Sequence, residues 1–151
     1  MQTNYTDRLQ NHLQTAHSNA QMLKHQRLQP EHLLKSFLSD KQIQTVLINY
    51  KGLERLLDAK LDKIPKILSD TTVYMSGELA TVMQEAGEIA KKFGDEFLSS
   101  EVVLLAIYKP LKELFSQANI SLQTLNKGIQ ELRAGKIIDS SSSEDNYQAL
   151  K

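Results

Sequence analysis

One apolar pattern is written twice in this chain, and that repeat limits the fold more than any other feature. Between residues 7 and 24 the apolar positions are Leu9, Leu13, Ala16, Ala20 and Leu23, a spacing that makes one face of an α-helix. Seventy residues later, Leu79, Met83, Ala86, Ala90 and Phe93 repeat it without a gap. Thr6 stands before the first run and Ser76 before the second, each able to cap the free N–H groups of a helix start. Leu28, Glu31 and Leu34 recur as Leu98, Glu101 and Leu104 at the same shift. After a two-residue deletion the match resumes, with Leu47, Leu57, Leu61 and Ile64 falling on Phe115, Leu125, Ile129 and Leu132.

Within the first copy the pattern predicts four helices. The first covers 7–24. The second starts at Pro30, a residue that suits the first helical position because its missing N–H has no partner there. The third spans about 42–50 and the fourth 53–64, divided at Gly52 and ended by Pro65. Residues 66–75 read as a connector, and strand signals are nearly absent. The fold class is therefore all-α: two tandem pseudo-symmetric four-helix repeats, about 5–65 and 75–134, packed as one eight-helix domain over 1–134. A single repeat of this size buries little, so the two are expected to share one core. From Gly135 the text becomes "GKIIDSSSSEDNYQALK", a polar serine stretch that reads as a linker. The final "YQALK" reads as the first turn of a further helix, so the chain is expected to be a fragment.

Composition narrows the function. The 18 Lys+Arg balance the 18 Asp+Glu among 151 residues, which argues against a large basic face for nucleic acid or anionic lipid. With no cysteine there is no disulfide framework, thiol nucleophile or zinc-ribbon spacing. No apolar run reaches the roughly 18 residues of a membrane span, and the N-terminus lacks a signal peptide's basic start and apolar stretch. A cytoplasmic protein is expected. No phosphate-cradling loop, nucleophile elbow or metal-binding helix motif is present. The four histidines lack a carboxylate three residues before them, so neither catalytic nor metal residues are assigned.

The copies differ in an informative way. His12, Asn19, His32 and Lys35 of the first become Val82, Ile89, Val102 and Leu105 of the second. Those apolar side chains either bury against the first copy or line a groove for a partner's side chains. Asp95 and Glu101 stand nearby, Asp95 as a solvated loop carboxylate or a rim group. Glu101, in a first helical turn, either answers the helix dipole or binds.

With "YTDRL…HQRLQPEHLL" in one copy, "SGELATVMQEAGEIAKKFGDEFLSSE" in the other, and "SSSEDNYQALK" at the exit, the chain resembles the N-terminal domain of the Clp family, most of all its ClpB-type disaggregases. That resemblance implies a substrate-engaging domain of an AAA+ chaperone ring. It would be a monomer alone and part of a homohexamer in the whole protein, working with the DnaK system. ATP and Mg would be bound beyond Lys151, leaving no cofactor and no enzyme activity in this part. The implied partners are exposed hydrophobic stretches of unfolded or aggregated proteins, with no nucleic acid and no membrane. Thr6, Asp95 and Glu101 fall where the family keeps polar residues linked to chaperone activity, and Met83, Ile89 and Val102 fall on its groove. With Val82 and Leu105, these are the expected substrate-binding residues. Glu85 departs from the pattern where some relatives are apolar, and the polar first helix disfavours a site on the first copy. Capture would be weak per domain, at on the order of 25 cal/mol per Å² of apolar surface buried, and reinforced by several copies on a ring. The alternative is docking of a folded adaptor, as in Clp protease partners.

Overall fold

The computed structural model describes residues 4–68 and 72–145. It contains eight helices in two sets of four, as expected, although the third and fourth are divided at 47–49 and Gly52 lies inside the fourth, where Asn49 caps it. The first set is α1 (Asp7–Met22), α2 (Pro30–Phe37), α3 (Lys41–Val46) and α4 (Tyr50–Asp62). The second is α5 (Gly77–Phe93), α6 (Ser100–Ile107), α7 (Lys112–Gln117) and α8 (Leu122–Arg133). Thr6 and Ser76 cap α1 and α5 alike, their hydroxyl oxygens accepting from the N–H groups of Leu9 at 3.2 Å and Leu79 at 3.0 Å. Each helix then ends in a left-handed residue that turns the chain back: Gly94 at φ 80° in the second copy and Lys24 at φ 61° in the first. Glycine takes that conformation without steric cost, whereas Lys24 does not, so the repeat geometry overrides local preference there.

The copies are entwined. Four two-residue strands, β1 (Asn4–Tyr5), β2 (Arg27–Leu28), β3 (Tyr74–Met75) and β4 (Phe97–Leu98), form two parallel pairs. In each pair one strand comes from each copy: β1 lies on β4 and β2 on β3. Helices follow the same exchange, with α3 packing on α8 and α4 on α7. The expectation of almost no strand missed these bridges because two residues are too few for an alternating pattern to register. The exchange is why the repeats share one core. Leu9, Phe37, Leu53 and Leu57 of the first copy and Leu79, Val103, Phe115 and Ile129 of the second belong to the same buried cluster. At the α3–α8 crossing the backbones approach so closely that a Cβ on Gly128 would stand 2.9 Å from the carbonyl oxygen of Val46.

The stretch read as a linker is packed onto the domain at least as far as residue 145. Ile138 is fully buried, and Ser143 and Glu144 are nearly so. The serine-rich composition was misleading because this segment is held by polar rather than apolar contacts. The "YQALK" run, read as a helical turn, lies outside the described residues. Among the described residues no helix is long and apolar enough to cross a membrane.

Candidate functional site

Val82, Met83 and Val102 are buried at 2%, 8% and 0% exposure, so here they belong to the core floor and not to an open groove. They project from α5 and α6, which pack side by side, and of the two readings of these side chains burial describes their placement. Ile89 and Leu105 differ: both lie at the edge of the same cluster and keep part of their surface exposed. Glu85, on the same helix as Ile89, reaches Lys109 at 3.4 Å.

The first copy presents an open cavity of about 470 Å³ lined by Met22, Leu23, Leu61, His32, Lys35 and Asp58, among others. Met22 is 79% exposed. His32 and Lys35 are the counterparts of Val102 and Leu105, so the depression lies where the repeat places polar residues. The sequence disfavoured a site on this copy because α1 is polar; the depression lies at the far end of that helix, by Met22 and Leu23. Lys35 is held across it by Glu54 at 3.1 Å and Asp58 at 2.9 Å.

Thr6, Asp95 and Glu101 converge in a buried polar cluster at the β1–β4 seam. Asp95 is not the solvated loop carboxylate that one reading expected. Its side chain is fully buried, it is bidentate to the Arg133 guanidinium, and it also accepts from the Ile138 N–H at 2.9 Å. Arg133 Nε stands 3.7 Å from Glu101, and the guanidinium stacks over the Phe93 ring at 4.5 Å. Glu101 is thus buried beside a cation, which goes beyond answering a helix dipole at the surface. A buried cation is retained only when carboxylates and hydrogen bonds replace its water.

Glu144 completes the cluster. Its Oε1 accepts from the Thr6 hydroxyl at 2.7 Å and from the Ser100 N–H, and its Oε2 accepts from the Ser100 hydroxyl at 3.1 Å. Burial, together with the neighbouring Glu101 charge, pushes its carboxyl up to about 7, although the three donors oppose that shift.

Sequence reasoning missed both Arg133 and Glu144. Arg133 left a trace: Pro65 and His25 of the first copy become Arg133 and Asp95 of the second, a paired replacement. Glu144 left none, since its partners are far away in sequence.

The first copy fills the equivalent place with two histidines. His32 Nδ1 accepts from the Gln29 N–H at 2.9 Å, so the proton of the neutral ring sits on Nε2 and is donated to His25 Nδ1 at 2.8 Å. Burial lowers both, His32 to about 4, with the other ring as the next cause for His32 and Lys66 as the next cause for His25. Among the described residues no group of three metal-ligating side chains comes together.

Comparison with known proteins places this architecture. Residues 4–118 match the family described as the Clp repeat (R) N-terminal domain. The chaperone protein ClpB of Mesorhizobium japonicum is 32% identical over 97% of this chain. That of Rickettsia bellii is 36% identical over 96%. The chain spans only 18% and 19% of the length of these two relatives. Among solved structures, the Hsp104 N-terminal domain of Candida albicans superposes with a TM-score of 0.84 at 23% identity, over 93% of this chain and 99% of that one. The N-terminal domain of the chaperone ClpD of Arabidopsis thaliana does so with 0.66 at 14% identity, over 85% and 97%. Matched through most of its length and sharing the all-helical double-repeat fold, the chain belongs to the Clp repeat N-terminal domain family and corresponds to the N-terminal region of ClpB chaperones.

Proposed function

We propose that this domain captures exposed hydrophobic segments of unfolded or aggregated proteins and passes them to an ATP-driven ring formed by the rest of a ClpB-type chain. The observation that supports this reading is the pair Ile89 and Leu105, apolar side chains left partly exposed on two packed helices above a floor of Val82, Met83 and Val102. An extended segment laid across them would gain apolar contact without opening the core. Thr6, Asp95 and Glu101 are too deeply enclosed to touch a client and act on capture through the shape of the seam. The cavity between Met22, Leu23 and Leu61 offers a second apolar contact on the first copy. The domain acts by binding, with no cofactor of its own. Hexamer assembly, cooperation with the DnaK system and a cytoplasmic location belong to the same proposal.

Binding of a fluorescently labelled, permanently unfolded protein, followed by anisotropy, tests it. Ile89→Glu is expected to weaken binding at least tenfold, and Leu23→Glu to do so less. Tight binding of a folded partner that Ile89→Glu leaves intact, with no binding of the unfolded chain, would overturn capture in favour of adaptor docking.

A further inference from the structure

The two copies solve the same problem differently at their second helix. In the first, α2 starts with Pro30, which has no N–H to satisfy, and the ring of His32 takes the Gln29 N–H. In the second, α6 starts after Ser99, which makes no side-chain cap; its hydroxyl is buried without a partner among the described residues. The acceptor comes instead from 44 residues away, as the Glu144 carboxylate on the N–H and hydroxyl of Ser100. That carboxylate also accepts a hydrogen bond from the hydroxyl of Thr6, the cap of α1. A single side chain from the exit segment thus joins the starts of one helix in each repeat.

The remaining contacts of the segment follow the same line. Glu96 N–H donates to the Ile138 carbonyl at 2.7 Å, and Asp7 N–H to the Ser141 carbonyl at 2.8 Å. The Gln42 amide donates to the Glu144 carbonyl at 3.2 Å, and Arg8 Nε to Asp145 at 2.7 Å. Asp95 receives the Ile138 N–H. Against these polar ties stands one large apolar side chain fully buried by the segment, Ile138. A segment held by hydrogen bonds and little apolar area opens locally at far lower free energy than the core.

We propose that residues 138–145 form a detachable strap, and that Thr6, Ser100, Asp95 and Arg133 build its receptor, with Glu144 as the ligand of a carboxylate-receiving notch between the repeats. Thr6 and Asp95 are on this account positioning residues: they set the path by which the chain leaves the domain. Docked, the strap ties residues 138–145 to both repeats at the β1–β4 seam; released, it uncovers the starts of α1 and α6. The groups facing Glu144 are Glu101 on α6, the Arg133–Asp95 pair beyond it, and Arg8 on α1. Glu101 opposes a charge on Glu144, so docking weakens as Glu144 ionises.

Native-state amide hydrogen exchange on the whole chain tests this. The amides of Ile138 and Asp7 are expected to exchange at least 100-fold faster than that of Leu57 in the core, with little dependence on denaturant. Glu144→Ala should speed them at least tenfold further while leaving Leu57 unchanged. In Glu144→Gln their opening should no longer rise between pH 6 and 8, after correction for intrinsic exchange. Ile138 and Asp7 exchanging only as fast as Leu57, or Glu144→Ala accelerating all three equally, would make the segment part of the core and overturn the proposal.

Discussion

The two buried titrating sites impose opposite pH dependences. In the first copy, His32 accepts a hydrogen bond from the Gln29 N–H at Nδ1 and donates from Nε2, so the ring has no free position for a second proton. Folding lowers it from 6.5 to about 4. The unfolded chain then binds the extra proton between those values, and stability is lost as pH falls through that window. The loss is about 1.4 kcal/mol per pH unit and about 3 kcal/mol in all. Glu144 runs the other way. Folding raises it from 4.5 to about 7, so the native state holds the proton there and stability is lost as pH rises, again by up to about 3 kcal/mol. Opening of the strap caps this second loss, because a detached Glu144 titrates normally. Between pH 4.5 and 6.5 the two sites oppose each other, and the stability of the wild-type chain in urea unfolding should fall less steeply with acid than that of Glu144→Gln. Glu144→Gln removes one slope and should uncover a fall of about 3 kcal/mol from pH 6.5 to 4.5. Adding His32→Val, the residue the second copy carries as Val102, should reduce that slope again, leaving the contribution of His25, which burial also lowers. Parallel profiles for the wild-type chain and Glu144→Gln across this window would refute the reasoning.

Four further single substitutions probe the same framework by urea denaturation. Arg133→Met leaves Asp95 buried without its guanidinium and should cost about 3–5 kcal/mol, part of it recovered by adding Asp95→Asn; a loss below about 1 kcal/mol would contradict the buried pairing. Gly128→Ala drives a Cβ against the Val46 carbonyl and should cost about 1–3 kcal/mol through overpacking of the α3–α8 crossing, whereas a neutral result would mean that crossing is loose. Ser76→Ala removes a helix cap alone, at about 1 kcal/mol. Thr6→Ala removes the matching cap and the tie to Glu144 together, and should cost more; equal costs would show that the tie contributes nothing.

Much of this molecule was legible in the sequence because its repeat is written in helical periodicity. The faces Leu9–Leu23 and Leu79–Phe93 and the caps Thr6 and Ser76 all depend on residues within one helix turn of one another. What pattern could not reach was contact at long range. The exchanged strands at Tyr5 and Leu98 are too short to alternate, and the partners of Glu144 stand 44 and 138 residues away. The candidate site suffered from the same limit. Spacing puts Val82, Val102 and Ile89 beside the shared stripe, but only packing separates the first two, buried, from Ile89, which keeps part of its surface. The open cavity on the first copy was not foreseen because the middle of α1 is polar, whereas Met22 and Leu23 sit at the end of that helix.

Capture of unfolded chains is the central claim, and an amide NMR titration of this chain with a permanently unfolded protein tests it most directly. Capture predicts shifts clustered at Ile89, Leu105 and their neighbours on α5 and α6, lost in Ile89→Glu. Smaller shifts are expected around Met22 and Leu23. No shifts at millimolar concentrations of the unfolded chain would contradict it and leave those side chains as the edge of the core between the repeats.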